Sequence, residues 1–203
     1  MNEIENRRSI RKYRPEMLDR CLIDAVLHAA MLAPSAKNRQ PWKFIVYTEK
    51  AKDKLLDAMQ CGLMRMRDDP AIPQEAKTGL TDAFHTLQIM QQAPVLIAVL
   101  NTGSGSPFDP ITPADRITEI CDSLSVGAAV ENMLLRAQAL GLGTLWIANT
   151  FFAYPELTSC IGTDAQLACA VALGFADEAP PSRPRKPAVD VIAYRSENTR
   201  LDQ

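Results

Sequence analysis

The residues best suited to hold a charged ligand lie in two arginine clusters near opposite ends of the chain. Arg7-Arg8-Ser9-Ile10-Arg11 places three guanidinium groups and a hydroxyl within five residues. A guanidinium is a planar, permanently charged fork of donors, so this cluster suits a phosphate and neighbouring carbonyls. A solvated basic helix end has the same composition. Arg183-Pro184-Arg185-Lys186 gathers charge again, on a segment that its prolines keep extended. It reads either as a phosphate clamp or as a solvated proline-rich loop. A third polar segment, Pro34-Ser35-Ala36-Lys37-Asn38-Arg39-Gln40-Pro41-Trp42, is bracketed by prolines. Asn38 and Gln40 each present a donor and an acceptor, which suits the edge of a flat heterocycle. An ordinary helix-to-strand connector is the other reading.

Other signatures of chemistry are absent. No GxGxxG follows an apolar run, and there is no GxxxxGK[ST] and no GxSxG. His28 and His85 are the only histidines and lie outside any HExxH, so each reads as exposed or structural and no metal site is expected. A cofactor that carries its own reactivity needs few catalytic side chains, and such scarcity suits one. Cys21, Cys61, Cys121, Cys160 and Cys169 are odd in number and form no CxxC pair, which points to reduced, mostly buried thiols.

The elements that must position these groups follow from pattern. Spacing of Leu18, Leu22, Ala25 or Val26, and Ala29 predicts a helix over 17–32, stopped by Pro34. Residues 42–48 read as a strand, 49–67 and 74–92 as helices, and Ala93–Leu100 as a strand apolar on both faces. Residues 101–113 form a Gly/Ser/Pro loop long enough to carry function. The longest helix covers 114–140, with Ser125, Gly127, Ala128 and Ala129 suggesting close packing at its middle and Gly141 and Gly143 ending it. Thr144–Ala148 and Leu167–Phe175 complete the core strands, and Val189–Tyr194 reads as a short strand-like tail. Helices and strands mix without regular βαβ alternation, so the class is α+β. With 203 residues, 47% hydrophobic and 23% charged, one domain over 1–203 is expected. A net charge of -2 gives no field for nucleic acid or anionic lipid. The charged N-terminus and the short apolar runs predict a soluble, cytoplasmic protein with no membrane partner.

Taken together and in this order, RRSIRKY, PSxxNxQPW, a long small-residue helix ending GLG and a late RPRKP resemble the FMN-dependent nitroreductase family over essentially the whole chain. The resemblance implies a dimer with FMN at the subunit interface, around a central mixed, mainly antiparallel sheet flanked by helices. Arg7, Ser9 and Arg11 resemble the residues that hold the phosphate, the ribityl chain and the pyrimidine edge, and Arg8 occupies the adjacent family position. Pro34, Ser35, Lys37, Asn38 and Gln40 look like the loop supplied by the other subunit. Arg183 and Arg185, with Lys186 beside them, resemble the late phosphate clamp. Many relatives carry Glu-Gly where a backbone N–H meets the flavin; here Ala148 and Asn149 fall at that place. Arg11 would tune the reduced flavin electrostatically.

The implied activity is a ping-pong transfer of hydride from NADH or NADPH through FMN to a small acceptor such as a nitroaromatic or quinone, with no protein nucleophile. A reductive dehalogenase, a flavin-fragmenting relative and a flavin-binding module with little turnover share the motifs. The resemblance also assigns 59–94 to shaping the acceptor pocket. Met64, Met66, Phe84, Phe108, Phe151 and Phe152 read either as pocket lining or as plain core packing.

Overall fold

In the computed structural model, which describes residues 2–195, four strands form one sheet in the order β1-β2-β4-β3. They are β1 Trp42–Tyr47, β2 Val95–Asn101, β3 Gly143–Ile147 and β4 Gln166–Gly174. Each neighbouring pair is antiparallel, and an isolated bridge from Ser9 to Thr144 supplies a parallel contact. The α+β class and the helix-flanked sheet are thus as expected.

The sequence explains why β2 is central. All seven of its residues are buried, which only a strand covered on both faces tolerates. Alternation then divides the core in two. Leu96, Ala98 and Leu100 pack with α3 (Glu49–Asp68), α4 (Leu80–Gln92) and α6 (Tyr154–Ile161). Val95, Ile97 and Val99 pack with α2 (Arg20–Met31) and α5 (Pro113–Ala139). Each large aliphatic side chain withdrawn from water contributes roughly 1.5–3 kcal/mol. The sheet is therefore a firm base for whatever its edges carry. A short α1 (Glu3–Asn6) precedes the first arginine cluster.

Several expectations need correction. Helix α2 buries Ile23, Val26 and Ala30, while Leu22, Ala25 and Ala29 lie at the margin of that face. The predicted helix over 74–92 is interrupted by Gly79, whose φ of +86 is left-handed and cannot continue a helix. Helix α6 was not anticipated, although Pro155 opens it and Gly162, at φ +71, closes it. Gly143 does not end α5 but lies in β3, where a Cβ would stand 2.8 Å from Ile10 Cγ1. Gly127 is less constrained than close packing implies, because a Cβ there meets only the Trp146 ring at 3.9 Å.

The tail Val189–Tyr194 forms no strand. It overlaps a 3-10 turn at Ala188–Asp190 and its side chains are exposed, because nothing among the described residues completes a ladder with it. The cysteines are not mostly buried: Cys21, Cys61 and Cys160 occupy exposed positions on helices, and Cys121 is half-buried. Cys169 alone sits in the core, where burial pushes its thiol up to about 12. Among the described residues, no helix is long and apolar enough to cross a membrane and no cluster of metal-ligating side chains occurs.

Candidate functional site

The site begins with a strap, Ser9–Tyr13, laid across one end of the sheet. The Ile10 N–H donates to the Thr144 carbonyl of β3 at 2.9 Å. Beyond it, Arg14 N–H donates to Phe175 O at 3.0 Å, and Asp177 N–H to Lys12 O at 2.9 Å. The buried Tyr13 hydroxyl donates to Ile10 O at 2.9 Å and fixes the bend; burial raises its pKa well above the usual phenol range. One carboxylate oxygen of Glu178 accepts from both the Arg11 and the Lys12 N–H. The absence of a Cβ at Gly143 lets Ile10 seat against β3. The arginine side chains on this strap therefore project from an anchored backbone.

Arg7, Arg8, Ser9 and Arg11 line one groove with Arg183 and Arg185. The groove encloses about 780 Å³, and Ile4, Glu5 and Pro180–Pro184 complete its walls. Two sequence clusters more than 170 residues apart thus meet, as their chemistry requires if both hold one anion. Glu131 on α5 pairs with Arg7 at 3.5 Å, and Arg8 Nη1 donates to the Glu5 and Arg7 carbonyls at 2.6 and 2.9 Å. Among the described residues, five guanidinium groups face one wall carboxylate, Glu5, and the Glu131 partner of Arg7, which leaves a surplus of positive charge that a phosphate would neutralise. Lys186 is exposed beside the groove and is not part of its wall.

Arg11 also borders a second, smaller cavity of about 120 Å³. Its remaining walls are Leu145–Asn149 at the end of β3 and Asp82, His85, Thr86 and Ile89 on α4. Strand β3 is an edge strand, paired to β4 on one side only. Because the Thr144 carbonyl points outward to Ile10, strand alternation turns the backbone N–H and C=O of Trp146 outward too. An open peptide edge beside a guanidinium offers donors and acceptors in a line, which fits the polar rim of a flat heterocycle. Ala148 and Asn149 stand at the far end of that edge.

The third predicted segment is elsewhere. Arg39 pairs with Asp122 of α5 at 2.5 Å, and Ala36 N–H donates to Ser125 Oγ at 3.2 Å. Asp122 lies nine positions before Glu131, the partner of Arg7, so about 13 Å of helix separates the two contacts. Pro34, Ser35, Lys37, Asn38 and Gln40 do not line the arginine groove of this chain. The loop is nevertheless tightly built. Lys37, Asn38 and Gln40 have φ values of 55, 52 and 51. Gln40 N–H donates to Ser35 Oγ at 3.0 Å, and Gln40 Nε2 donates to Asn38 Oδ1 at 3.3 Å. Asn38 and Gln40 remain exposed.

Sequence reasoning missed Glu178 and Thr144, and it marked the α4 wall only as part of the stretch 59–94, without assigning Asp82, His85 or Thr86 to that wall. Nothing local marks Glu178, which acts on a strap 167 residues away. Asp82, His85 and Thr86 stood inside a stretch assigned as helix without a preferred face. The aromatic and methionine candidates divide. Met66, Phe84 and Phe152 pack on the core, Phe108 and Phe151 flank Tyr154, and Met64 is partly exposed on α3. None of them lines the two cavities at Arg11.

Comparison with known proteins places this geometry. The model of the nitroreductase family matches residues 4–175. A protein of Archaeoglobus fulgidus, provisionally named NADH dehydrogenase/NAD(P)H nitroreductase, is 32% identical over 144 residues, covering 71% of this chain and 64% of that protein. The 5,6-dimethylbenzimidazole synthase of Rhodospirillum rubrum is 29% identical over 148 residues, covering 70% of this chain and 65% of that enzyme. These matches span a little under two thirds of each relative's length. Among solved structures, a provisionally named nitroreductase from Desulfovibrio desulfuricans in complex with FMN superposes with a TM-score of 0.70 at 24% identity, covering 96% of this chain and 95% of that one. That last likeness is one of fold. With a family match from the strap through β4 and a fold shared over nearly the whole length, the chain belongs to the nitroreductase family.

Proposed function

We propose that this chain is a cytoplasmic FMN-dependent oxidoreductase that takes hydride from NADH or NADPH and passes it to a small acceptor, a nitroaromatic or a quinone. The observation that carries the reading is the meeting of Arg7, Arg8, Ser9 and Arg11 with Arg183 and Arg185 around one groove, next to an open strand edge. When bound, FMN supplies hydride chemistry that no side chain of the chain offers. The chain's own contribution is to bind, orient and tune.

The guanidinium groups of Arg7, Arg8, Arg183 and Arg185 would hold the phosphate, with the Ser9 hydroxyl beside them. Arg11 presents its charge where the groove meets the smaller cavity, and there it would favour the reduced, more negative form of a bound flavin. The peptide edge through Ala148 and Asn149 reads the ring's polar rim. Donor nucleotide and acceptor use the same opening in turn, which is the basis of ping-pong kinetics.

The loop carrying Pro34, Ser35, Lys37, Asn38 and Gln40 serves the groove of a second copy. Its position away from this chain's own groove supports that assignment. So does an exposed apolar stripe on α5, where Ile117, Ile120 and Leu124 recur at helical spacing. A homodimer follows, and FMN binding should strengthen it by mass action, as sedimentation with and without FMN would reveal.

Arg11→Ala is the direct test of the site. Losing a charge-assisted hydrogen bond costs roughly 1.5–3 kcal/mol, so FMN affinity should fall about 10- to 150-fold in a fluorescence titration. Unchanged affinity and turnover would remove Arg11 from the site. The likeness to a 5,6-dimethylbenzimidazole synthase, whose named product contains the same dimethylated benzene ring as FMN, favours flavin fragmentation as a second reading. Product analysis separates the two: recovery of intact FMN after many turnovers supports reductase chemistry, and its consumption supports fragmentation.

A further inference from the structure

The strand pairing that fixes β3 stops at Ile147, opposite Ala170. The next residue, Ala148, has already left the strand conformation, with φ -100 and ψ -14. The peptide between Ala148 and Asn149 therefore borders the small cavity with no ladder to hold it. Its carbonyl accepts only long contacts, from the Phe151 N–H and the Thr150 hydroxyl at 3.4 Å each, and a side chain supplies the shorter tie. Asn149 Nδ2 donates to Thr86 Oγ1 at 3.0 Å and to Asp82 Oδ2 at 3.3 Å, both on α4 across the cavity. Thr86 Oγ1 in turn donates to Asp82 O at 2.9 Å. That fixes the direction of the relay: the hydroxyl proton is committed to the carbonyl, so its lone pair is turned to the Asn149 amide. Both amide protons of Asn149 are thereby used, and the strand exit is tied to the opposite wall.

Helix α4 needs such a tie. It starts after the left-handed Gly79 and rests on the core through Leu80, Ala83, Leu87, Ile89 and Met90, while its first turns carry the exposed Asp82 and His85 toward the cavity. Thr86 is buried, which makes its hydroxyl a poorly hydrated and correspondingly firm acceptor.

We infer that Asn149 is a positioning residue: through Thr86 and Asp82 it sets the spacing between the end of β3 and α4, and so places the Ala148–Asn149 peptide and the α4 wall against the flavin ring. This inference rests on the proposed FMN reading. It makes the side chain at 149, rather than the backbone alone, a determinant of flavin affinity and potential.

The test uses the full-length protein with three readouts: FMN affinity by fluorescence titration, the midpoint potential of bound FMN by dye equilibration, and amide exchange across 80–90 in the flavin-free chain. Asn149→Ala removes two hydrogen bonds and should weaken FMN about tenfold, shift the potential, and speed exchange in the first turns of α4. Thr86→Val keeps the shape and the fold while removing one acceptor; it should move all three readouts the same way, with about a threefold loss of affinity. Faster exchange with unchanged affinity and potential in both variants would overturn the inference, because the tie would then be structural only. No change in any readout would overturn it as well. A wild-type chain that takes up no FMN would overturn the functional reading and this inference together, and it is the only outcome that touches the former.

Discussion

Replacing both late arginines, Arg183→Ala/Arg185→Ala, is expected to weaken FMN binding about 100-fold and leave riboflavin binding nearly unchanged. Each guanidinium contributes a charge-assisted contact of roughly 1.5–3 kcal/mol. Both side chains are exposed on an extended segment, so solvent screening keeps the sum near the low end of that range. Riboflavin lacks the phosphate that these residues would hold, so the comparison isolates the phosphate from the ring. Parallel titrations of the two flavins check it. Equal losses for both would show that the segment merely closes the groove, and no loss for either would place the phosphate elsewhere. Because the contact is electrostatic, the wild-type preference for FMN over riboflavin should shrink as salt rises.

Arg39→Met should be the most damaging single change outside the core. Asp122 is 1% exposed, and its Oδ1 accepts from Arg39 Nε and Nη2 at 3.0 and 2.5 Å. Methionine fills much of the space but leaves a buried carboxylate without its cation. Breaking a buried pair in this way costs about 3–5 kcal/mol, reduced here to about 2–4 because the Arg39 side chain is 35% exposed. For a chain of this length, that lowers Tm by roughly 5–12 °C. The second change Asp122→Leu should recover most of the loss, since it removes the stranded charge. Thermal unfolding of the two singles and the double forms a closed cycle. A double variant as unstable as Arg39→Met alone would mean that the cost comes from the loop backbone. That loop has three residues at positive φ, so loosening it should also reduce flavin affinity if Asn38 and Gln40 reach a partner's groove.

What the sequence made legible was whatever acts locally. Local composition marked all four strands: β2 through a continuous apolar run, which burial on two faces demands, and β1 through its aromatic and β-branched residues. Charge clustered within five residues marked the arginine segments, because a phosphate needs several donors at one place. Contacts between distant residues left no local trace. Glu178 anchors the strap at Arg11, and Asn149 reaches back 63 positions to Thr86, yet neither sits in a motif. Helix α6 carried its own signals, a proline at its start and a glycine after its end, but it is only eight residues long. The tail illustrates the opposite failure. Val189–Tyr194 has a strand's composition, yet composition cannot supply the neighbouring backbone that a strand requires. The loop at 34–40 is a related case, since its exposed amides lack a ligand edge within their own chain.

The central claim is most directly tested by the visible absorption spectrum of the purified protein incubated with FMN, followed by NADH and NADPH added separately without oxygen. A bound yellow chromophore that bleaches with either nucleotide is the predicted result, and the nucleotide that bleaches it faster identifies the donor. A protein that stays colourless after incubation with FMN would contradict the account at its root.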